Sequence, residues 1–344
     1  MEMICRLNNT ETRVEFTDMQ QVLELVTEAL VVTDEHVAAL LPYRPEHLLI
    51  LSPGEAHKQW SSIEMIITAA LEMGLGRDGR MVGIGGGVVC DMTAFAASIY
   101  MRGIRVDLVP TTLLSMVDAS LGGKTGTDFN RVKNIIGTFH PAGRVFICTE
   151  MLASLDQDEY KNGLAEVIKH AFLQGGRLLE QVTESRSAIL DRSGQFLDQL
   201  VYDSLLVKRD FITSDPQEKT GIRAKLNFGH TFGHALETLT GLTSWSHGEA
   251  VAWGMARALE AGSAVGVTDK AYAESAVSLL RSYGFDTDYR IETSRIPDYL
   301  RYLSSDKKKL SGRPQFILQR NAGDTIITEL PEQVIVAAVS SSQR

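Results

Sequence analysis

Met81-Val82-Gly83-Ile84-Gly85-Gly86-Gly87-Val88-Val89-Cys90-Asp91 is the stretch on which the fold turns. A short apolar run ends in three glycines, and a helical pattern follows. Glycines at such a turn let backbone approach a ligand closely, and a helix N-terminus there favours a phosphate. The spacing is not GxGxxG, so the turn alone equally describes a tight strand-to-helix connection. Asp91, one turn into the helix, equally suits a first-turn acid that complements the helix dipole. Upstream, residues 29–34 and 47–52 read as strands, the second closed by Pro53-Gly54. Residues 57–73 place Trp60, Ile63, Ile66, Ile67, Ala70 and Leu71 at helical spacing. Downstream, 106–110 and 145–148 read as further strands. This alternation predicts an α/β class with a doubly wound parallel sheet, Rossmann-like in kind.

From about Ser154 the pattern turns helical, over 163–172, 189–208, 229–239, 248–264 and 270–283. Residues 314–318 and 325–328 read as a hairpin or edge strands. The expected organisation is therefore an α/β domain over 1–153 and a mostly helical domain over 154–344. The 344 residues carry 34 Lys and Arg against 43 Asp and Glu, a net charge of −9. That balance argues against nucleic acid or an anionic membrane as partner. An anionic ligand then needs a local cluster of basic side chains. Cys5, Cys90 and Cys148 form no CxxC pair and read as reduced thiols. No apolar run reaches the ~18 residues of a membrane span, and Met1–Arg6 opens no long apolar leader. A cytoplasmic location is expected.

Ser120-Leu121-Gly122-Gly123-Lys124-Thr125 imitates a P-loop, but the first glycine that motif needs falls at Asp118. What remains is a glycine-flanked lysine, with Lys133-Asn134 shortly after. The strongest local signal is Asn227-Phe228-Gly229-His230-Thr231-Phe232-Gly233-His234, followed by His247-Gly248-Glu249. His230 and His234 are i,i+4 and share a helix face. Glu166, Lys169 and His170 share another. Imidazole and carboxylate without thiolate suit a catalytic Zn²⁺ with an open position. Spacing does not choose among Glu166, His170, His230, His234, His247 and Glu249. Lys169, Lys208, Arg209, Arg223 and the run Asp306-Lys307-Lys308-Lys309 would be solvated faces in isolation; beside a metal they could clamp a phosphate or carboxylate.

Taken in order, several motifs resemble one family. They are Gly85-Gly86-Gly87-Val88-Val89-x-Asp91, Tyr100-Met101-Arg102-Gly103, Val109-Pro110-Thr111-Thr112-Leu113-Leu114, Val117-Asp118-Ala119-Ser120 and Gly122-Gly123-Lys124-Thr125-Gly126. Lys133-Asn134-x-Ile136-Gly137, Gly163-Leu164-Ala165-Glu166-Val167-Ile168-Lys169, Leu226-Asn227-x-Gly229-His230-Thr231-x-Gly233-His234-Ala235 and His247-Gly248-Glu249-Ala250-Val251 follow. The pattern resembles the 3-dehydroquinate synthases, of the sugar phosphate cyclase superfamily, from about Pro53 to Gly312. The resemblance implies a lyase of the shikimate pathway, which makes aromatic amino acid precursors. Its substrate would be 3-deoxy-D-arabino-heptulosonate 7-phosphate and its products 3-dehydroquinate and phosphate, by transient NAD-dependent oxidation, elimination, re-reduction and aldol closure.

The resemblance also implies roles. Glu166, His230 and His247 would hold Zn²⁺ or Co²⁺, and His234 would transfer a proton. Asp118, Lys124, Asn134, Asn162, Lys169, Lys208, Arg223, Asn227, His234 and Lys307 would bind substrate. The catalytic set would be His234, Lys124, Asn134, Lys169, Lys208, Arg223, Asn227 and Glu218. NAD would meet Asp34, Glu55, Lys58, Gly86, Gly87, Val88, Asp91, Thr111, Thr112, Lys124, Lys133, Met151, Leu152 and Ser154. Arg102 would reach the substrate of a neighbouring subunit, implying a homodimer. The chain departs from the family pattern at Cys90, Ala94, His36 and Ser305, and by one extra residue between Lys208 and Arg223. That insertion bears on Lys208, as against Arg209, and on Glu218. Three rivals remain: another sugar phosphate cyclase, a polyol dehydrogenase of the iron-containing alcohol dehydrogenase type, and an inactive paralogue. Asn227 argues against the 2-deoxy-scyllo-inosose synthases, which tend to carry an acid there. The many anion-binding residues argue against a dehydrogenase, and the intact ligand set against an inactive paralogue.

Overall fold

The computed structural model describes residues 1–7, 10–130, 132–241, 244–305 and 314–340. The chain divides into two compact units, one of residues 1–160 and 192–216, the other of 161–191 and 217–344. The helix Gly194–Ser214, which the sequence pattern groups with the helical half, thus belongs with the sheet. Among the described residues, no helix is long and apolar enough to cross a membrane.

Among its described residues the first unit is built on a seven-stranded sheet. Its strands in chain order are β1 (Glu2–Leu7), β2 (Thr10–Phe16), β3 (Leu30–Asp34), β4 (Leu48–Leu51), β5 (Arg80–Gly85) and β6 (Arg105–Pro110). A separate hairpin, β7 (Lys124–Phe129) and β8 (Val132–Phe139), intervenes before the last sheet strand, β9 (Arg144–Ile147). The sheet order is β1-β2-β9-β6-β5-β3-β4. All neighbours are parallel except the β1–β2 pair. β3 and β5 are buried along nearly their whole length. Continuous apolar runs such as Leu30-Val31-Val32 are what a strand covered on both faces requires. The helix Gly87–Ile99 leaves directly from β5. The expected parallel α/β sheet is present, and the β1–β2 pair and the β7–β8 hairpin add to it.

Among its described residues the second unit is helical apart from the hairpin β10 (Phe316–Asn321) and β11 (Asp324–Thr328). Its centre is the helix His247–Ala264, with Trp253, Met255 and Leu259 fully buried. The helix starts at a capping box: Ser246 Oγ accepts from Glu249 N, and Glu249 Oε2 accepts from Ser246 N at 3.0 Å. Against it lies the helix His230–Leu239. The two backbones meet through glycines. A Cβ at Gly254 would fall on the Gly229 carbonyl oxygen, and one at Gly233 would lie 2.7 Å from the Ala250 oxygen. Gly229 itself has φ +82°, a left-handed value that suits glycine.

Candidate functional site

The close approach of those two helices sets the distance between their histidines. His230 opens one helix and His247 the other, and their ring centroids are 5.3 Å apart. Glu166, on the helix Gln157–Gln174, is fully buried beneath them. Its Oε1 lies 3.6 Å from His230 Nε2 and 3.7 Å from His247 Nε2. No hydrogen bond reaches that oxygen. Its other oxygen, Oε2, accepts from the buried Lys169 ammonium. His230 Nδ1 faces the Phe228 carbonyl oxygen at 3.3 Å, and His247 Nδ1 lies 3.7 Å from Glu237 Oε1. Both imidazoles therefore direct Nε2 to one carboxylate oxygen.

Burial opposes the charged form of Glu166, but Lys169, with both histidines, outweighs it and holds the carboxyl well below its usual range. Burial and the Lys169 charge push His230 well below its ordinary value, so its imidazole is neutral. Burial also opposes charge on His247, but Glu166 and Glu237, one at each ring nitrogen, hold it up to about 10. A buried carboxylate oxygen without a donor, faced by two ring nitrogens, suits a divalent cation of the Zn²⁺ or Co²⁺ kind. Glu166, His230 and His247 fit such an ion on this observation. His234 lies beside the group, its ring centroid 5.2 Å from that of His230. Glu249, left open as a ligand by spacing alone, instead completes the capping box and pairs with Lys161 at 3.6 Å. Asn162 Oδ1 accepts from Gly248 N and so anchors the start of the His247 helix.

In the first unit the glycine turn stands as expected, Gly86 being the N-cap of the helix Gly87–Ile99 with no side chain capping it. A Cβ at Gly87 would meet only Ala119 Cβ, at an ordinary 3.5 Å. The protein itself thus gives little steric reason for glycine there, and the open helix start suits a dinucleotide phosphate. Beside it Lys58, buried, donates to Asp91 Oδ2 at 2.7 Å and to Asn134 Oδ1 at 2.6 Å. Burial disfavours the Lys58 charge, but Asp91 and Glu55 more than offset it and raise the ammonium above its ordinary value. Asn134 sits at φ 51°, and its N–H donates to Asp128 Oδ1 at 2.7 Å. Lys133 lies 3.8 Å from Glu55. Thr111 N donates to Gly85 O, and Thr112 N to Ser115 Oγ. Asp34 caps the short turn after β3, while Met151, Leu152 and Ser154 lie on the turn Thr149–Ser154.

Lys208 is buried and reaches Asp118 Oδ1 at 2.6 Å, whereas Arg209 pairs with its neighbour Asp210. Of the two candidates the inward one is Lys208. In the second unit Arg223 is buried and pairs with Glu218 at 3.2 Å. Asn227 ends the turn Arg223–Asn227. Lys124 opens β7 and is exposed. Arg102 is exposed as well, on a segment where Met101 and Arg102 have φ 49° and 70°. Lys307 and the basic run around it lie outside the described residues. Glu237 escaped the sequence reading. Its one signal is its place seven residues after His230, on the same helix face.

Residues 48–162 match the family described as 3-dehydroquinate synthase N-terminal, and 163–309 the one described as 3-dehydroquinate synthase C-terminal. The 3-dehydroquinate synthase of Dichelobacter nodosus is 38% identical over 296 residues, covering 86% of this chain and 80% of the relative. Among solved structures, a 2-epi-5-epi-valiolone synthase from Streptomyces hygroscopicus subsp. jinggangensis, with NAD⁺ and Zn²⁺ bound, superposes with a TM-score of 0.86 at 24% identity and 98% coverage of both chains. A 2-deoxy-scyllo-inosose synthase complexed with carbaglucose-6-phosphate, NAD⁺ and Co²⁺ gives 0.83 at 23% identity, again over 98% of each. At those identities the structures establish a shared fold. The sequence matches go further: with both halves of one family found in order along 48–309, the chain belongs to the 3-dehydroquinate synthase family.

Proposed function

We propose that the chain converts 3-deoxy-D-arabino-heptulosonate 7-phosphate to 3-dehydroquinate and phosphate. The observation that supports this beyond family membership is the buried Glu166 oxygen faced by His230 and His247. In this reading the first unit takes NAD at the Gly86–Val88 turn, with Asp34, Glu55, Lys58, Asp91, Thr111, Thr112, Lys124, Lys133, Met151, Leu152 and Ser154 around it. The second unit takes Zn²⁺ or Co²⁺ on Glu166, His230 and His247. When bound, NAD⁺ accepts and later returns one hydride, while the divalent ion stabilises charge on the reacting oxygen.

The chain's own residues supply the rest. His234 takes the hydroxyl proton as the alcohol is oxidised and gives it back on re-reduction. Lys124, Asn134, Lys169 and Arg223 stabilise negative charge at fixed points while the C–O bond to phosphate breaks. The departing phosphate takes the proton from the adjacent carbon, so no strong side-chain base is needed there. Lys208, Arg223 and Asn227 orient the substrate, with Asp118, Asn162, Glu218 and Lys307 completing the set. Ring opening and an intramolecular aldol step then close the carbocycle. The exposed Arg102 reaches a neighbouring subunit's substrate in a homodimer. The buried thiols of Cys5, Cys90 and Cys148 suit a reducing cytoplasm.

Phosphate and NADH followed in one reaction test this reading. A catalytic amount of NAD⁺ should support many turnovers, with phosphate released and no net NADH. One NADH per substrate consumed, without phosphate, would instead identify a dehydrogenase.

A further inference from the structure

We infer that Glu237 is a positioning residue for the metal ligand His247, an inference that rests on the metal reading above. The two histidines are held by different means. His230 has a backbone acceptor, the Phe228 carbonyl oxygen, 3.3 Å from Nδ1. Facing His247 Nδ1 is the Glu237 carboxylate, at 3.7 Å. That is ion-pair range rather than a made hydrogen bond, but acceptor and donor face each other.

Nδ1 and Nε2 project from opposite sides of the imidazole, so the two carboxylates near His247 have separate partners. Glu166 lies on the Nε2 side and Glu237 on the Nδ1 side, each at 3.7 Å. In an imidazole that carries a single proton, as a metal-bound one does, a carboxylate acceptor such as Glu237 favours that proton on Nδ1. The Nε2 lone pair is then left toward Glu166. The Glu237 side chain is only 10% exposed, whereas that of His247 is 31% exposed. The acid is thus the fixed member and the imidazole the one that needs fixing. Glu237 also lies on the helix that carries His230, so one element positions one ligand and orients the other. Carboxylates behind metal-bound histidines commonly act in this way. His234, Glu237 and His247 also lie close enough together to share an ion, so direct ligation by Glu237 is the rival.

A double-mutant cycle on the full chain decides between them. Stripped protein is titrated with Zn²⁺ against a chromophoric chelator, and melted with and without Zn²⁺. Glu237→Ala should weaken Zn²⁺ about 10- to 100-fold while the metal-free melting temperature stays near that of the wild type. Glu237→Gln, whose amide oxygen still accepts from Nδ1, should recover most of the affinity. In a His247→Ala background Glu237→Ala should cost nothing further, because its effect passes through the imidazole. An equal loss in that background would overturn the inference in favour of a direct ligand or a general packing role. Wild-type affinity in Glu237→Ala, with His247→Ala impaired, would overturn it and leave the metal site standing. Undiminished affinity in both His247→Ala and Glu166→Gln would remove the metal reading itself, and the inference with it.

Discussion

Side chains that look alike in sequence take different tasks here. His230, His234 and His247 are chemically equal on paper, yet His230 and His247 turn Nε2 to Glu166 while His234 stands beside them. His247→Ala should therefore bind metal weakly enough to be purified depleted of it and inactive, whereas His234→Ala should keep metal and lose rate. Elemental analysis beside the assay checks both, and metal loss in His234→Ala would reverse the two roles. At Lys58, replacement by Met leaves Asp91 without its ammonium. That should lower stability by about 1–3 kcal/mol in urea denaturation and raise the KM for NAD⁺. Asn134 separates backbone from side chain. Asn134→Ala meets a left-handed φ of 51° and should lose about 1 kcal/mol. Asn134→Gly tolerates that φ, and should show the loss of rate that comes from the missing amide without the strain. Residue types and spacing exposed the histidine cluster, but not which members converge. Glu249 was as good a ligand as Glu166 until the capping box took it, and Glu237, on the same face as His230 and His234, has no motif of its own to mark it.

Elements were legible where one face is buried and the pattern shows it. β3, β4, β5, β6 and β9 all lie within two residues of their expected bounds. β1 was missed because Ile4 is exposed and breaks the alternation of the buried Met3, Cys5 and Leu7. β2 buries Thr12, whose hydroxyl donates to the Ala142 carbonyl oxygen, and a threonine does not announce a core. The β7–β8 hairpin was missed for a related reason. Phe129, Val132, Ile135 and Phe139 are exposed, so its apolar residues mark no inward face. Gly254 carries the element-scale prediction. Gly254→Ala would drive a methyl into the Gly229 carbonyl and force the two histidine helices apart. It should destabilise the protein by about 1–3 kcal/mol and weaken Zn²⁺ binding as well, measured by melting and chelator competition. Unchanged Zn²⁺ affinity would mean that the crossing does not set the ligand distances.

For the whole molecule, the proposed exchange of Arg102 between subunits has a direct readout. An Arg102→Ala chain and a Lys169→Ala chain, each inactive alone, should regain partial activity when mixed and allowed to exchange. Dead hybrids of verified composition would exclude sharing. A linear pattern gave two kinds of structure in succession, but not their interleaving, because the helix Gly194–Ser214 looks like any other until its partners are known. Tyr202 packs on Phe16 with ring centroids 5.9 Å apart, and Asp198 accepts from Thr149, so this late segment completes the first unit. The chain passes between units at 160/161, 191/192 and 216/217. During synthesis, then, the first unit is complete only once residue 216 has been made, by which time 161–191 has already emerged. A gene cut at the single family boundary near 162 would yield two fragments, neither of them a finished body. Separately expressed halves should aggregate or stay unfolded, and any complementation between them would have to return residues 192–216 to the first.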